Sequence, residues 1–376
     1  MKICLVNNLL TPWSRGGAEK IVATLAEAII ADGHEVVFIS TKPVKATTPP
    51  PSGSTHYYLP SHYHNLNKWS YLSRSLWHLI GFFNYRRQAI LKEILVKESP
   101  DLLITNNLVG IGFGLGRLAQ SLNIKHFHIL HDIQLLHPTG LLIYGRVGEL
   151  ASAPAKLYQR LTRASLGQPQ AVIVPSQWLL NEHLKRGFFT KTMSVVINNP
   201  IANSSEKVDH SKNHSVFLYV GQIEEYKGVR LLLSAWADFL ERTKTEAKLI
   251  MVGDGFLLPS LKLLKTPQVE FTGRLQKEAL DKIYREASCL VVPSLCYENS
   301  PTVIYEATQL NLPVIASSLG GTKELLSPDY LFKPVLSALS DKLVWANKKR
   351  SELVAPQIKL INSKEYWAKI KKYATQ

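Results

Sequence analysis

Residues 296–307 hold the side chains whose types and spacing are best suited to chemistry. Ser300 followed by Pro301 is typical of a helix start, because serine caps free N–H groups and proline needs no partner at the first helical position. We therefore expect a helix from Pro301 onward, with Glu298 just before it and Glu306 inside it. The free N–H groups and the dipole at such a helix start attract an anion.

Two interpretations of this segment are open. In the first, one ligand is held at three levels: Glu298 binds hydroxyl groups, the helix start binds a phosphate, and Glu306 binds a ribose. In the second, Thr302 and Glu306 belong to a polar stripe that faces solvent, as it does on most surface helices.

Residues 221–228 form a second loop that leads from an apolar run into a helical pattern. Lys227 in this loop can reach a phosphate as a mobile point charge, although a plain surface lysine is the alternative. The loop is not a Walker loop, because no Gly-Lys-Ser/Thr follows at the required spacing. Residues 110–116 are glycine-rich but miss the G-x-G-x-x-G register, so a dinucleotide fingerprint is absent.

The first half of the chain offers two further candidate positions. Gly16 and Gly17 stand where a strand pattern meets a helix pattern, so a ligand can approach the backbone closely there. His131 and Asp132 follow an apolar run that ends at residue 130. A histidine beside an acid at a strand end is a candidate for catalysis, and a structural role is the alternative.

Short apolar runs alternate with helical patterns, as expected for strands and helices in turn. Strands are predicted at residues 3–6, 36–39, 102–105, 126–130, 171–174, 216–220, 248–252, 269–271, 289–292 and 313–316. Helices are predicted at 18–29, near 110–121, at 229–240 and at 363–373.

This alternation predicts an α/β protein with parallel sheets covered on both faces. A polar linker near residues 198–214 divides the pattern into two doubly wound halves. Ligands of such sheets bind beyond the carboxyl ends of the strands, and we expect the two domains to face each other across a cleft. Function is therefore expected in the loops that follow strands.

Length and composition exclude several classes of protein. The 376 residues suffice for two domains at about 150 residues each, and 45% hydrophobic with 19% charged residues is ordinary for a folded protein. No apolar run approaches the ~18 residues of a membrane-spanning helix, and the amino terminus turns polar too early for a signal peptide. Three cysteines without metal-ligand spacing favour a reducing cytoplasm and no metal.

The net charge of +15 is concentrated in residues 1–200, which carry 20 basic and 10 acidic side chains. We expect no nucleic-acid partner, because neither zinc-finger spacing nor an RNP motif is present. Residues 61–92 combine an apolar stripe at helical spacing with arginines and lysine. This pattern fits a helix on an anionic membrane surface or, as the alternative, a helix packed on its own domain. The stripe consists of Trp69, Leu72, Leu76, Leu79, Ile80 and Phe83.

Taken together and in order, the motifs resemble the retaining glycosyltransferases of family four, which have the GT-B fold of two Rossmann-like domains. The most specific part is Glu298 to Glu306, which matches that family's E-x7-E motif. The other matching pieces are Gly16-Gly17-Ala18-Glu19, His131-Asp132-Ile133, Val174-Pro175-Ser176, Ile197-Asn198-Asn199-Pro200, Tyr219-Val220-Gly221, Lys227-Gly228, Val252-Gly253-Asp254-Gly255, Phe271-Thr272-Gly273-Arg274, Pro313-Val314-Ile315-Ala316 and Gly320-Gly321.

The resemblance implies metal-independent transfer of a sugar from a nucleotide-diphosphate sugar to an acceptor hydroxyl with retained anomeric configuration, and no cofactor. The acceptor would be a lipid-linked or cell-surface glycan, as in polysaccharide biosynthesis. The protein would be cytoplasmic, and a peripheral position on the cytoplasmic face of the membrane is an open alternative. Residues 1–200 would form the acceptor-side domain, completed by a helix at 362–376, and residues 201–361 the nucleotide-sugar domain. A plain terminal helix is the alternative for the last segment.

The resemblance also implies roles for individual residues. Glu306 would bind the ribose, Glu298 a hydroxyl of the donor sugar, and Lys227 the diphosphate. Gly16 and Gly17 would close over the diphosphate, and His131 would lie near the donor sugar and the acceptor. The remaining donor-binding positions would be Gln222, Gly253, Arg274, Asn299, Ser300, Pro301 and Thr302.

Two positions depart from the family pattern. Gln222 stands where the family commonly has an arginine, which removes a charge and bidentate reach, and Arg274 is a candidate replacement. Asn299-Ser300 stands where the family tends to have Phe-Gly, so the donor sugar is not implied. The alternative functions are an epimerase or hydrolase of nucleotide sugars on the same scaffold, and a non-catalytic protein that binds nucleic acid or membrane.

Overall fold

The structure is a computed structural model that describes residues 1–14, 16–47, 49, 53–201, 208–210, 215–264 and 266–374. Most of the linker predicted near residues 198–214 lies outside the described residues.

The strands follow the predicted apolar runs closely, and β3, β7 and β13 are additional to them. In chain order they are β1 (Lys2–Val6), β2 (Glu35–Pro43), β3 (Thr55–Ser61), β4 (Leu102–Thr105), β5 (Lys125–Ile129), β6 (Ala171–Val174), β7 (Met193–Val196), β8 (Val216–Val220), β9 (Lys248–Val252), β10 (Val269–Gly273), β11 (Cys289–Val292), β12 (Val314–Ser317) and β13 (Leu331–Phe332).

Helices occupy the segments between the strands. They are α1 (Gly17–Ala31), α2 (Tyr71–Phe82), α3 (Tyr85–Glu98), α4 (Leu115–Ser121), α5 (Ala153–Leu166), α6 (Gln177–Leu184), α7 (Val229–Thr243), α8 (Leu258–Lys262), α9 (Lys277–Glu286), α10 (Thr302–Gln309), α11 (Leu336–Lys348) and α12 (Ser363–Ala374). Short 3-10 turns lie at His62–Lys68, Val147–Ala151, Glu225–Lys227, Gly320–Glu324, Pro328–Tyr330 and Arg350–Glu352.

The strands form two parallel sheets, one in each half of the chain. The first has the order β3-β2-β1-β4-β5-β6-β7 and the second the order β10-β9-β8-β11-β12-β13. Every pairing between neighbouring strands is parallel. The doubly wound α/β prediction is therefore confirmed.

Helices pack on both faces of each sheet. Because side chains point to alternate faces along a strand, successive residues of a buried strand contact different helices. In β8, Phe217 and Tyr219 pack with α7 and α11, whereas Leu218 between them packs with α9 and α10. In β1, Ile3 and Leu5 pack with α1 and α12. The neighbouring Cys4 of β1 is fully buried as well.

The chain divides into two compact units. The first contains Met1–Leu141, Val147–Pro200 and Ile361–Gln376, and the second contains Leu142–Arg146 and Ile201–Leu360. Residues 142–146 join the second unit through backbone hydrogen bonds: the Tyr144 N–H donates to the Leu295 carbonyl at 2.7 Å, and the Tyr297 N–H to the Leu142 carbonyl at 2.8 Å.

The carboxyl-terminal helix α12 packs on α1 of the first unit. Trp367 is 2% exposed, and its indole N–H donates a 2.7 Å hydrogen bond to Oδ2 of Asp32 at the end of α1. Lys371 Nζ donates to the same oxygen at 2.7 Å. Tyr366 and Ile370 are buried with the core residues of β1 and α1.

Helix α2 leaves most of its apolar stripe uncovered. Leu72 is 79% exposed, and Leu76, Ile80 and Phe83 are each more than half exposed. Ser70 caps the helix by accepting a hydrogen bond from the Ser73 N–H, so Trp69 lies before the helix rather than on it. The interpretation of this stripe as a face packed on its own domain is therefore wrong for its exposed residues.

The helix predicted near residues 110–121 is shorter than expected. Helix α4 begins only at Leu115, and the glycine-rich residues before it form a loop. Gly110 and Gly112 have φ values of +87° and +135°, which are not helical. Among the residues that the structure describes, no helix is long and apolar enough to cross a membrane.

Candidate active site

The loops after the strands of the second sheet meet at one edge, because all its strands are parallel. Residues 221–228 follow β8, residues 253–257 follow β9, and residues 293–301 follow β11. These loops carry most of the donor-site candidates predicted from the sequence.

The loops after β8 and β9 are in direct backbone contact at two glycines. Gly253 has a φ of +144°, and a Cβ atom at this position would overlap the carbonyl oxygen of Gly221. The Ile223 N–H donates to the Asp254 carbonyl at 2.9 Å, which joins the two loops. Gly253 therefore allows the backbones to approach each other, a role that only glycine fills here.

Gly228 brings the loop after β8 against the loop after β11. It ends the turn Glu225–Lys227 in the left-handed conformation with a φ of +73°. A Cβ atom at Gly228 would overlap the Pro293 carbonyl oxygen. This close approach places Lys227 beside the residues that follow β11.

Lys227 and Glu298 form an ion pair across these two loops. Lys227 Nζ donates to Glu298 Oε1 at 2.6 Å, and the two side chains are 25% and 15% exposed. The Ser294 hydroxyl donates to the same Oε1 at 2.7 Å, and the Cys296 thiol lies 3.6 Å from it. Three donors thus converge on one oxygen of the carboxylate.

The environment keeps both members of this pair charged. Burial raises the pKa of Glu298, but the Lys227 ammonium and the hydrogen bonds lower it by more. The net pKa of Glu298 therefore lies below its ordinary value. Burial lowers the pKa of Lys227, but Glu298 outweighs it and the net pKa is raised. A permanent cation and a permanent carboxylate therefore lie side by side at neutral pH.

The backbone of Glu298 is fixed by the loop after β12. The Gly321 N–H donates to the Glu298 carbonyl at 2.8 Å. Gly320 has a φ of +59°, and a Cβ atom there would overlap the same carbonyl oxygen. The strand-like pairing of Ile143 with Cys296 supports the loop from its other side.

Helix α10 starts one residue later than the sequence predicts. Its first residue is Thr302, and Pro301 occupies the N-cap position with extended backbone. The predicted cap at Ser300 is therefore wrong: the Ser300 hydroxyl lies 2.5 Å from the Tyr305 hydroxyl, which turns it toward the first helical turn's buried side. Asn299, just before Ser300, is half-buried.

Glu306 lies on α10 and contacts a tyrosine of α9. The Tyr284 hydroxyl donates to Glu306 Oε2 at 3.0 Å, and Tyr284 is 1% exposed. Burial, followed by the charge of Glu306, raises the pKa of Tyr284 well above its ordinary value, so the phenol keeps its proton. The buried phenol thus orients the Glu306 carboxylate.

Gln222 and Arg274 occupy two further positions at this edge. The Tyr226 hydroxyl donates to Gln222 Oε1, and the Tyr219 hydroxyl donates to the Gln222 carbonyl at 2.6 Å. Arg274 follows β10 directly and is exposed. Gln222 is therefore held by two tyrosines, whereas Arg274 is open to solvent.

Gly16 and Gly17 lie at the start of α1 in the first unit. Gly16 is the N-cap, and its N–H donates a 2.6 Å hydrogen bond to Glu19 Oε2. Gly17 is the first residue of the helix. The glycines thus expose the amino-terminal end of α1 after β1, as predicted from the sequence.

His131 and Asp132 lie beyond β5 at the carboxyl edge of the first sheet. His131 Nε2 lies 2.8 Å from Asn106 Oδ1, and burial lowers the pKa of His131 to about 4. Burial also raises the pKa of Asp132 to about 6, against the hydrogen bonds from Gln134 and Asn107. His131 is therefore neutral at pH 7, the state that a proton-accepting imidazole requires.

Ser294, Tyr284 and residues 142–146 support the site and were not predicted. Ser294 follows β11 in the same loop as Glu298, so a search of that loop for hydroxyl groups would have found it. Tyr284 is 22 residues from Glu306, and no local pattern links the two. Within the described part of the chain, no group of three or more His, Cys, Asp or Glu side chains is arranged to hold a metal ion.

The comparisons with known proteins place both units in one class of enzyme. Residues 15–204 match the model of Glycosyltransferase Family 4, and residues 200–376 match that of the Glycosyl transferases group 1. The fold is similar to that of the HepE protein of Anabaena, solved in complex with UDP and glucose, with a TM-score of 0.65, 17% identity, and coverage of 100% of this chain and 98% of that one.

Two curated relatives are similar over large parts of the chain. An uncharacterized 42.6 kDa protein in the cps region of Klebsiella pneumoniae is 29% identical over 86% of this chain and 87% of its own length. The lipopolysaccharide 1,2-N-acetylglucosaminetransferase of Salmonella typhimurium is 25% identical over 53% of this chain and 59% of its own.

The two parallel sheets and these matches define a glycosyltransferase with the two-domain GT-B fold. Within that class, the chain belongs to Glycosyltransferase Family 4. The recognition made from the sequence motifs is therefore confirmed at the level of family and fold.

Proposed function

We propose that the protein transfers a sugar, with retained anomeric configuration, from a nucleotide-diphosphate sugar to a hydroxyl of a lipid-linked or cell-surface glycan. The observation that carries the proposal is the Lys227–Glu298 pair, which lies at a strand edge just before the start of α10. The UDP and glucose in the related HepE structure support a nucleoside diphosphate as the leaving group.

Each donor-site residue has a role in this proposal. Lys227 binds the diphosphate, Glu298 a hydroxyl of the donor sugar, and Glu306 the ribose. The backbone at the start of α10, around Asn299 and Ser300, adds N–H donors for the sugar and phosphate. Gln222, Gly253, Arg274, Pro301 and Thr302 complete the set of residues around the donor.

The chemistry needs positive charge at the leaving group. As the bond from the anomeric carbon to the diphosphate breaks, the sugar becomes oxocarbenium-like and the diphosphate gains negative charge. The acceptor oxygen then bonds to the anomeric carbon, and its proton passes to an oxygen of the departing diphosphate. Lys227 and the positive end of α10 stabilise the developing charge more than the ground state, which lowers the barrier.

We propose that this reaction requires neither metal nor cofactor. The Lys227 ammonium and the helix start of α10 supply the positive charge that a divalent cation would otherwise provide to the diphosphate. Activity that persists at full rate in excess chelator is the expected result, and activity that needs an added divalent cation would contradict it.

Three residues of the first unit are proposed to take part in the same reaction. Gly16 and Gly17 offer the start of α1 to the diphosphate, and His131, neutral at pH 7, serves the donor sugar or the acceptor hydroxyl. Because its pKa is about 4, His131 is neutral at pH 7 but only weakly basic, so it is assigned a hydrogen-bonding role rather than that of a strong general base.

We further propose that the enzyme works in the cytoplasm at an anionic membrane surface, which residues 61–92 contact. The exposed apolar residues of α2 and the arginines around them support this partner. Co-sedimentation with phosphatidylglycerol vesicles but not phosphatidylcholine vesicles is expected, and Leu76→Glu should abolish it.

Thermal shift with nucleoside diphosphates tests the donor site. UDP, ADP and GDP are compared, and a specific binder raises the melting temperature by mass action. Lys227→Ala should remove that shift and most of the turnover, whereas Lys248→Ala, an exposed position at the start of β9, should leave both unchanged. Equal shifts in wild type and Lys227→Ala would contradict the proposal.

The same assay separates transfer from hydrolysis. A nucleotide-sugar hydrolase or epimerase would consume the donor at full rate without an acceptor. The proposal requires that release of nucleoside diphosphate depends on added acceptor.

A further inference from the structure

The first unit contains a cavity of about 160 Å³ between α2 and the loop that follows β4. Its lining includes Ser61 at the end of β3, Trp77 and His78 of α2, Arg87 of α3 and Phe113 of the glycine-rich loop. This volume equals about five water molecules, so the cavity can hold one small group such as a phosphate. None of the residues assigned above to the donor lines it.

Glycine in the loop after β4 makes room for this cavity wall. A Cβ atom at Gly110, where φ is +87°, would lie 2.8 Å from the Ser61 hydroxyl. A Cβ atom at Gly114 would overlap the Gln88 side chain of α3. The glycine-rich segment that does not match a dinucleotide fingerprint therefore packs its backbone against β3 and α3 and shapes the cavity.

Arg87 brings an uncompensated positive charge to the cavity. Its Nη2 donates a 2.6 Å hydrogen bond to the Pro60 carbonyl, which fixes the guanidinium in place. Within the part of the chain that the structure describes, no carboxylate pairs with it. Partial burial lowers its pKa, which reflects the cost of holding this cation away from water without an anion.

The sequence around Arg87 contains no acidic residue over a long segment. Residues 36–92 contain seven lysines and arginines and no aspartate or glutamate. A segment of this composition attracts anions and offers no internal counter-ion to the guanidinium. Arg87 therefore has no acidic partner within this segment, and its hydrogen bond to Pro60 goes to a neutral carbonyl.

An apolar surface leads from solvent to the same cavity. Ile80 of α2 lines the cavity and is 56% exposed. Leu76 and Phe83 continue this exposed surface along the helix and past its end. A ligand that reaches Arg87 along this path meets hydrophobic side chains first and a fixed guanidinium at the end.

We propose that this cavity binds the phosphate or diphosphate of an acceptor that is carried on an apolar chain. Arg87 binds the phosphate as a planar, bidentate donor, and the exposed residues of α2 bind the chain next to it. The inference rests on the proposed function and deepens it by naming the acceptor class: an amphiphilic phosphate ester rather than a free sugar.

Three probes separate the parts of this ligand: farnesyl diphosphate, inorganic diphosphate and farnesol, each titrated calorimetrically below micelle formation. Farnesyl diphosphate should bind at least tenfold more tightly than either other probe, because only it has both parts. Inorganic diphosphate binding equally well would overturn the apolar part of the proposal, and farnesol binding equally well would overturn the anionic part.

Matched variants locate the binding. Arg87→Gln should weaken the binding of farnesyl diphosphate at least tenfold. Arg86→Gln, at an exposed arginine one residue earlier, should leave the affinity unchanged. Arg87→Lys keeps the charge and should restore part of the affinity. If Arg87→Gln lowers the melting temperature, its loss of binding could reflect unfolding. The affinity of Arg87→Lys for farnesyl diphosphate, measured in a variant with unchanged melting temperature, then decides whether Arg87 binds the phosphate.

The donor site is a competing location for a diphosphate, so the titration is repeated with Lys227→Ala. Farnesyl diphosphate binding that survives Lys227→Ala and is lost in Arg87→Gln supports the cavity. The reverse pattern overturns it. The UDP thermal shift should be unchanged in Arg87→Gln, so a failure of this inference and a failure of the proposed donor site give different results.

Discussion

At the scale of single residues, the Lys227–Glu298 pair holds a cation and a carboxylate in contact at the candidate site. Bringing two charges partly out of water is costly, and the Ser294 hydroxyl and the Cys296 thiol help to offset that cost by also donating to the carboxylate. In the proposed function, the diphosphate would give Lys227 a second anionic partner. Its arrival would free the Glu298 carboxylate for the hydroxyls of the sugar.

Glu306 and Tyr284 provide a residue-scale prediction. At subsaturating donor, Glu306→Ala should reduce turnover about tenfold to a hundredfold. The reason is that a charged hydrogen bond to the ribose is worth about 1.5–3 kcal/mol. Tyr284→Phe keeps the ring and removes only the hydroxyl that contacts Glu306 at 3.0 Å. It should raise KM for the donor with a smaller effect on kcat.

The control for this pair is Glu286→Ala, which removes an exposed carboxylate two residues after Tyr284. Steady-state kinetics with varied donor measures all three variants. A Glu306→Ala enzyme with wild-type KM and kcat would argue against a ribose contact.

At the scale of loops and helices, glycines decide how closely the strand-end loops approach. Gly320 and Gly273 have similar positive φ values, +59° and +76°, but a Cβ atom meets the Glu298 carbonyl at Gly320 and nothing within 4 Å at Gly273. Alanine at either costs about 1–2 kcal/mol of backbone strain. Gly320→Ala should lose more stability than Gly273→Ala, because the new Cβ atom must also displace the loop that contains Glu298.

Urea unfolding and the nucleotide thermal shift measure the two effects of the Gly320→Ala and Gly273→Ala variants. We expect Gly320→Ala to lower stability more and to weaken the shift, and Gly273→Ala to keep the shift. Equal behaviour of the two variants would mean that the loop after β12 does not position Glu298.

Helix α12 gives a second prediction at this scale. Trp367 is almost completely buried against α1, so Trp367→Ala should destabilise the first unit by about 3–5 kcal/mol. Lys369→Ala, on the exposed side of the same helix, should have no measurable effect. Urea unfolding followed by circular dichroism is the readout, and an unchanged unfolding midpoint in Trp367→Ala would contradict this packing role.

At the scale of the whole molecule, buried histidines make stability depend on pH. Burial lowers the pKa of His126 to about 3 and that of His183 to about 4. In an unfolded chain the histidine pKa is about 6.5, so below that pH the unfolded state binds more protons than the folded one. Stability is therefore full above pH 6.5 and falls as the pH drops, by about 1.4 kcal/mol per pH unit for each histidine.

Asp132 acts in the opposite direction. Its pKa is raised to about 6, so the folded state holds a proton that the unfolded state loses, and its contribution is lost as the pH rises through 6. Two fully buried histidines outweigh one such acid, and we expect lower stability at pH 5 than at pH 7.5 in urea titrations. His126→Asn should reduce the difference, with exposed His62→Asn as control; a stability that rises on acidification would contradict the assignment.

Much of the fold could be predicted because buried parallel strands are short, continuous apolar runs. The strands at residues 102–105, 171–174, 216–220, 248–252 and 289–292 have the predicted bounds. Strand β3 is interrupted by polar residues and proline, so it lacks that pattern. Strand β7 is largely exposed, and Ser194 interrupts its short apolar run. The sequence predicts a helix near residues 110–121, but the glycine-rich residues before Leu115 form a loop. The contacts of this loop with Gln88 and Ser61 are tertiary, so the local sequence does not predict them.

The sequence by itself determined the parallel α/β class, the family, and the loops that carry Lys227, Glu298 and Glu306, because these follow from local patterns and nearby motifs. Only the tertiary structure decided which atoms meet: the ion pair across 71 residues, the Tyr284 contact, and residues 142–146 beside the Glu298 loop. It also decided that the apolar stripe of α2 faces solvent. The physical reason is that periodicity records which face of an element is apolar, whereas the partner of that face is set by distant parts of the chain.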